Sequence, residues 1–199
     1  MSIISKLKME ICLGTLALSG KYNKLSKNHL DTNIPTINYK KIKSIDWAEI
    51  YKENGNDILA SLSKLNNWKF KKLIFKVGRI NPKNISEIIE SIDRCLFLGW
   101  RGKILIMFHN SNIKYFKEYR NLVHTIKHKY KFIDEFGITV FNIEQLKVFS
   151  KIKEIREIQI PYNLIDARKF NDVINLSKIF GLRVQARSIF GAGLFTGNY

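Results

Sequence analysis

The run EIQIPYNLIDARKFNDVINLSKIFGLRVQARSIF, Glu157 to Phe190, holds a strand, a helix and a second strand in sequence. Glu157–Asn163 is short and rich in isoleucine, as a strand is, and Ala167–Phe180 has the length and composition of a helix. Gly181 follows as a helix-stopping residue, and Leu182–Phe190 returns to the strand pattern. One strand–helix–strand unit of this kind predicts parallel pairing, because only a crossover connection of a dozen or more residues returns the chain in the same direction.

The same alternation extends toward the N-terminus. Strand-like runs lie at Met9–Leu18, Lys43–Ala48, Lys72–Gly78, Gly102–His109 and Gly137–Phe141, making seven with the two above. Helical patterns fill the intervals at Asn56–Leu65, Asn84–Leu98, Lys114–Lys129 and Ile143–Ser150, and Asn84 opens the NISE sequence of a capping box. Strands that are continuous apolar runs predict a parallel sheet covered on both faces.

Two parallel architectures compete. An open dinucleotide-binding sheet carries G-x-G-x-x-G after its first strand, and CLGTLALSGKYN, Cys12–Asn23, does not supply it. GAGLFTG, Gly191–Gly197, has the wrong spacing and no helix after it, and reads as a turn. The expectation is therefore an α/β fold of the (β/α)8 TIM-barrel type over residues 1–199 as a single domain. It is incomplete: about seven strands, a reduced first helix across residues 19–42, and no eighth βα unit. An unpaired barrel edge would invite a homo-oligomer.

Composition narrows the function. The chain has 199 residues, 45% of them hydrophobic, enough for a real core. Its formal net charge of +17 raises nucleic-acid binding, but lysines dominate and are spread among Asn and Ile along the whole chain, as on solvated helix faces. Cys12 and Cys95 lack any metal-ligand or CxxC spacing, so no metal site is expected and a reducing, cytoplasmic compartment fits. The opening MSIISKLKMEICLGTLALSG has the outline of an export signal, but Glu10 interrupts it; a first buried strand is the better reading. No run is long enough to span a membrane.

In a parallel βα barrel the chemistry sits at the C-terminal ends of the strands. Asp46 and Tyr51 follow the second strand, Lys76 lies in the third within LIFKVG, and His109 ends the fourth. A lysine among Leu73, Ile74, Phe75 and Val77 is costly to bury without a carboxylate, and Asp46 is the available one. A phenol titrates near pH 10, so Tyr51 as a proton donor to a carbonyl needs a nearby ammonium to lower its pKa.

At these residues the sequence resembles the aldo/keto reductases, over roughly residues 8 to 197. IDWAEIYKENGNDILASL, Ile45–Leu62, is similar to that family's D-T-A-x-x-Y-G segment, LIFKVG to its lysine strand and ILIMFHNS to its L-L-L-H-x-P strand. FGITVFNIEQLKVF is similar to its G-V-S-x-x-x-x-E-x-L segment, and IQIPYNLIDAR and VQARSIFGAGLF to its sixth and seventh strands, closest to a bacterial branch. The resemblance implies a catalytic tetrad of Asp46, Tyr51, Lys76 and His109 that reduces a small carbonyl substrate, an aldehyde, ketone or sugar-like molecule. It implies NADPH, with NADH as the alternative, bound at the strand ends. Thr139 and Gln159 would meet the nicotinamide, Arg187 and Ser188 would lie along the cofactor, and Asn163 would support them. Trp47, Lys52 and Arg187 depart from the family pattern, which has threonine, glycine and often an aromatic there. The contrasting reading is a shortened, inactive barrel that serves binding or assembly, or is a gene fragment.

Overall fold

The computed structural model describes residues 10–16, 41–48, 51, 70–77, 84–97, 99–100, 102–191 and 194–195. Its elements are β1 (Ile11–Gly14), β2 (Ile42–Ala48), β3 (Lys72–Val77), α1 (Ile85–Phe97), β4 (Lys103–Phe108), α2 (Phe116–Lys129), β5 (Glu135–Thr139), α3 (Ile143–Phe149), β6 (Ile155–Pro161), α4 (Ala167–Ile179) and β7 (Arg183–Arg187). The expected helix Asn56–Leu65 and residues 17–40, most of the segment between the first two strands, lie outside the described residues.

The strands neighbour one another in chain order, β1 through β7, and those whose register is defined pair in parallel. This is the α/β order of the (β/α)8 type, with seven strands among the described residues. The chain divides into two compact units, residues 1–75 with 90–104, and residues 76–89 with 105–199.

In the first unit the core gathers on β2 and β3. Ile45, Trp47, Leu73 and Phe75 are buried, and the Trp47 and Phe75 rings stack with centroids 4.8 Å apart. Burying rings of this size supplies much of the apolar stabilisation of so small a unit. Thr15, just past β1, ties that strand to β2: its N–H and its hydroxyl both donate to the Asp46 carbonyl, at 3.1 and 2.8 Å.

In the second unit β5 and β6 are buried along almost their whole length, as central strands of a parallel sheet are. Phe108, Tyr119, Phe136 and Phe149 form a buried aromatic cluster where α2 and α3 cover β4 and β5. Burial, and then the neighbouring Tyr115, push the Tyr119 phenol well above its ordinary range, so it stays protonated and donates to the Asn110 carbonyl.

Local chemistry sets the boundaries. The expected helix Lys114–Lys129 begins as a 3-10 turn, Ile113–Tyr115, because the Asn112 side chain accepts from the Lys114 N–H. Asn142 caps α3 by accepting from Gln145 N–H at 2.9 Å, while Gln145 Oε1 reaches back to the Phe141 N–H at 2.7 Å. At the end of α4, Gly181 takes φ +67°; its N–H reaches the Lys178 carbonyl, and that of Leu182 the Ser177 carbonyl. These two bonds satisfy the last carbonyls in the manner of a Schellman motif. The seventh strand is shorter than its sequence suggests, ending at Arg187 because Ser188 has φ +55°.

Candidate active site

Every polar residue singled out from the sequence belongs to the C-terminal part of a strand or to the residues just beyond it. Asp46 is two residues from the end of β2, Lys76 is the penultimate residue of β3, and His109 directly follows β4. Thr139 closes β5, Gln159 lies two residues from the end of β6, and Arg187 closes β7. In a parallel sheet, that is where successive loops present side chains for chemistry.

The first unit holds Asp46 and Tyr51. Asp46 is 6% exposed and Tyr51 3%, although one carries a carboxyl and the other a phenol. The backbone of Asp46 is fixed by Thr15, so the carboxyl is carried on a position with little freedom. Trp47, next to Asp46, turns its ring onto Phe75 and contributes packing.

The second unit holds the others. Lys76 is 5% exposed, in the middle of a buried apolar strand end. His109 is half-buried, and its N–H donates to the Val77 carbonyl at 2.9 Å, locking the exits of β3 and β4 together. On the next three strands, Thr139 of β5 stands opposite Gln159 of β6 in register, and Gln159 opposite Gln185 of β7. Thr139 and Gln159 are each 1% exposed.

Several contributors carry no obvious mark in the sequence. Ser111 is fully buried, and its hydroxyl donates to the Thr139 carbonyl, bracing the end of β5. Gln185 accepts from Gln159 Nε2 at 2.9 Å. Arg183, at the other end of β7, bonds both Glu135 at 2.8 Å and Glu157 at 3.2 Å, giving the buried Glu157 its countercharge. The signal for Gln185 is present in RVQAR: Arg183, Gln185 and Arg187 alternate with Val184 and Ala186, the period of a strand with one polar face.

Asn163 joins the loop after β6 to the residue that follows β7. Its Oδ1 accepts from the N–H groups of Ile165 and Asp166, and its Nδ2 donates to Asp166 Oδ2 at 3.0 Å and to the Ser188 carbonyl at 3.3 Å. With Tyr162 N–H on the Arg187 carbonyl, this holds the backbone of Arg187 and the left-handed Ser188 from the loop after β6.

The aldo/keto reductase family model matches residues 10–199. The chain belongs to the aldo/keto reductase family. No curated protein matches it. Among solved structures, an aldo-keto reductase of Bacillus halodurans in its holo form superposes with a TM-score of 0.73 at 20% identity, covering 96% of this chain and 65% of that one. The glycerol dehydrogenase of Gluconobacter oxydans gives 0.70 at 20% identity, covering 94% and 62%. An aldo/keto reductase of Klebsiella pneumoniae in complex with NADP and acetate gives 0.73 at 14% identity, covering 93% and 66%. These likenesses establish the aldo/keto reductase fold, and the chain spans less than two thirds of the length of each of the three structures.

A nicotinamide group, which the family implies, meets residues here that fit it. Thr139 Oγ1 is buried with no hydrogen-bond partner among the described residues, a costly state that an amide group at this place would relieve. Gln159 beside it brings a second amide into the same buried layer. Among the described residues no cluster of metal-ligating side chains occurs, and no helix is long and apolar enough to cross a membrane.

Proposed function

We propose that this chain reduces the carbonyl group of a small aldehyde, ketone or sugar-like molecule at the expense of NADPH, with NADH as a weaker alternative. The observation that carries the reading is the burial of Asp46 and Lys76 near the ends of β2 and β3. An acid and an amine are seldom buried to this degree unless they are paired, and neighbouring strand ends of a parallel sheet are where such a pair is put to chemical use.

The nicotinamide, when bound, supplies a hydride to the carbonyl carbon. The protein's part is the proton and the positioning. Tyr51 donates its phenolic proton to the carbonyl oxygen as negative charge develops there. Lys76 provides the positive charge that makes a phenol acidic enough to do so, Asp46 the countercharge that keeps the lysine protonated, and His109 a donor that orients the carbonyl oxygen. Thr139 and Gln159 would bind the carboxamide of the nicotinamide, while Arg187 and Ser188 would lie along the rest of the cofactor, braced by Asn163.

NADPH titration followed by nicotinamide fluorescence, repeated with NADH, tests binding, and Tyr51→Phe tests chemistry. Removing a general acid should lower turnover about 10²- to 10⁴-fold with cofactor affinity retained. A Tyr51→Phe protein as fast as the parent would sink the assignment of the acid. A second reading, self-assembly through β7, is favoured by its exposed Val184 and by the exposed Ile189 and Phe190 just beyond it. A concentration-independent monomer in sedimentation velocity would rule it out.

A further inference from the structure

A carboxamide side chain presents an acceptor on one branch and a donor on the other, so a half-turn reverses what Gln159 offers a ligand. In this structure the choice is made from outside the strand. Gln159 stands between Thr139 on β5 and Gln185 on β7, and its Nε2 donates to Gln185 Oε1 at 2.9 Å, which commits its nitrogen to the β7 side. Gln185 is itself well held. Two residues before it Arg183 is tied across the sheet to Glu157 and Glu135; two residues after it Arg187 lies over the Phe141 ring, with its carbonyl bonded by Tyr162. A backbone held at both flanks limits where the Gln185 carboxamide can reach, which favours its use as an acceptor for Gln159.

We propose that Gln185 is a positioning residue that, by accepting from Gln159 Nε2, fixes the Gln159 carboxamide with its oxygen as the group offered to the NH2 of a nicotinamide carboxamide. Discrimination for a pyridine ring that carries an amide then resides on β7 as well as on β6. This rests on the cofactor reading above. Thr139 Oγ1, able to donate, complements the arrangement by facing the amide oxygen of the same group.

The test compares two ligands in each variant by calorimetric titration: NADP, and its 3-acetylpyridine analogue, in which a methyl ketone replaces the carboxamide and no NH2 remains. Gln185→Leu frees Gln159 to turn over and should weaken NADP about five- to tenfold, the worth of one hydrogen bond, while the analogue changes less than about twofold. Gln185→Glu keeps an acceptor at the same place and should stay within about threefold of the parent for NADP. Because the two affinities are compared within one variant, partial loss of folded protein cancels from the ratio. Equal weakening of both ligands, or no change in either, would overturn the positioning role while leaving the cofactor reading intact. A folded parent protein that binds neither ligand would overturn both.

Discussion

The guanidinium of Arg187 lies over the ring of Phe141, with its central carbon 5.6 Å from the ring centroid. Arg187 closes β7 and Phe141 precedes α3, so this contact joins two strand exits that bracket β6. Gln145 fixes Phe141 through its N–H, and Ser188 Oγ accepts from Arg187 Nη1 at 3.2 Å. A cation–π contact at a partly exposed site contributes about 0.5–1 kcal/mol. On the cofactor reading proposed above, Phe141→Leu should weaken NADPH about two- to fivefold in a fluorescence titration, and Phe141→Tyr should restore it. Equal affinity in all three proteins would show that Arg187 does not depend on the ring.

Gly137 allows close approach in the middle of β5. A Cβ there would come within 2.7 Å of the Met107 Cε and 2.9 Å of the Glu157 carbonyl oxygen. The methionine is flexible enough to move aside, but the carbonyl belongs to the neighbouring strand and is not. Gly137→Ala should cost about 1–3 kcal/mol, read as a lower urea midpoint with unchanged slope. Shortening Met107 as well should recover little of that loss; full recovery would mean that the methionine alone was the obstacle.

Glu154 and Lys127 form an exposed pair at 3.3 Å. Burial raises the Glu154 carboxyl, but a backbone hydrogen bond, the Lys127 contact and the charge of Arg120 outweigh it and hold the group below its ordinary value of 4.5. With the folded pKa below the unfolded one, the contribution to stability is present above the unfolded value and fades as pH falls through the folded one. Both side chains are well exposed, so solvent screening limits the effect to at most about 0.5 kcal/mol. Lys127→Met should show that small deficit at pH 7, less of it below pH 4, and almost none in 1 M salt. A deficit that grows in acid would contradict the sign.

Much of this architecture could be read from the residues. Strands β3 and β4 announce themselves as near-continuous apolar runs because both their faces are covered, β6 by its recurring isoleucines, and Gly181 marks the end of α4 because only glycine takes its left-handed conformation cheaply. The strand pattern of Leu182–Phe190 overstates the seventh strand: Ser188 breaks it by its backbone angle, which Asn163 and Tyr162 hold from another loop, and no local pattern encodes that. The polar residues Asp46, Lys76 and His109 are legible because they interrupt or end apolar runs. Ser111 is not, since its importance lies in the carbonyl it meets 28 residues away; for Gln185 the alternation in RVQAR marks a polar strand face but not the amide it meets 26 residues away. A sequence shows which residues are out of keeping with their neighbours, but not which partner makes an ordinary residue matter.

The hold that Asn163 exerts on Ser188 makes the loops after β6 and β7 a single mechanical part. A transplant of either loop from another barrel would arrive without its counterpart and leave a left-handed serine unsupported. Any redesign of either loop should therefore exchange residues 162–166 and 187–191 together, as one cassette.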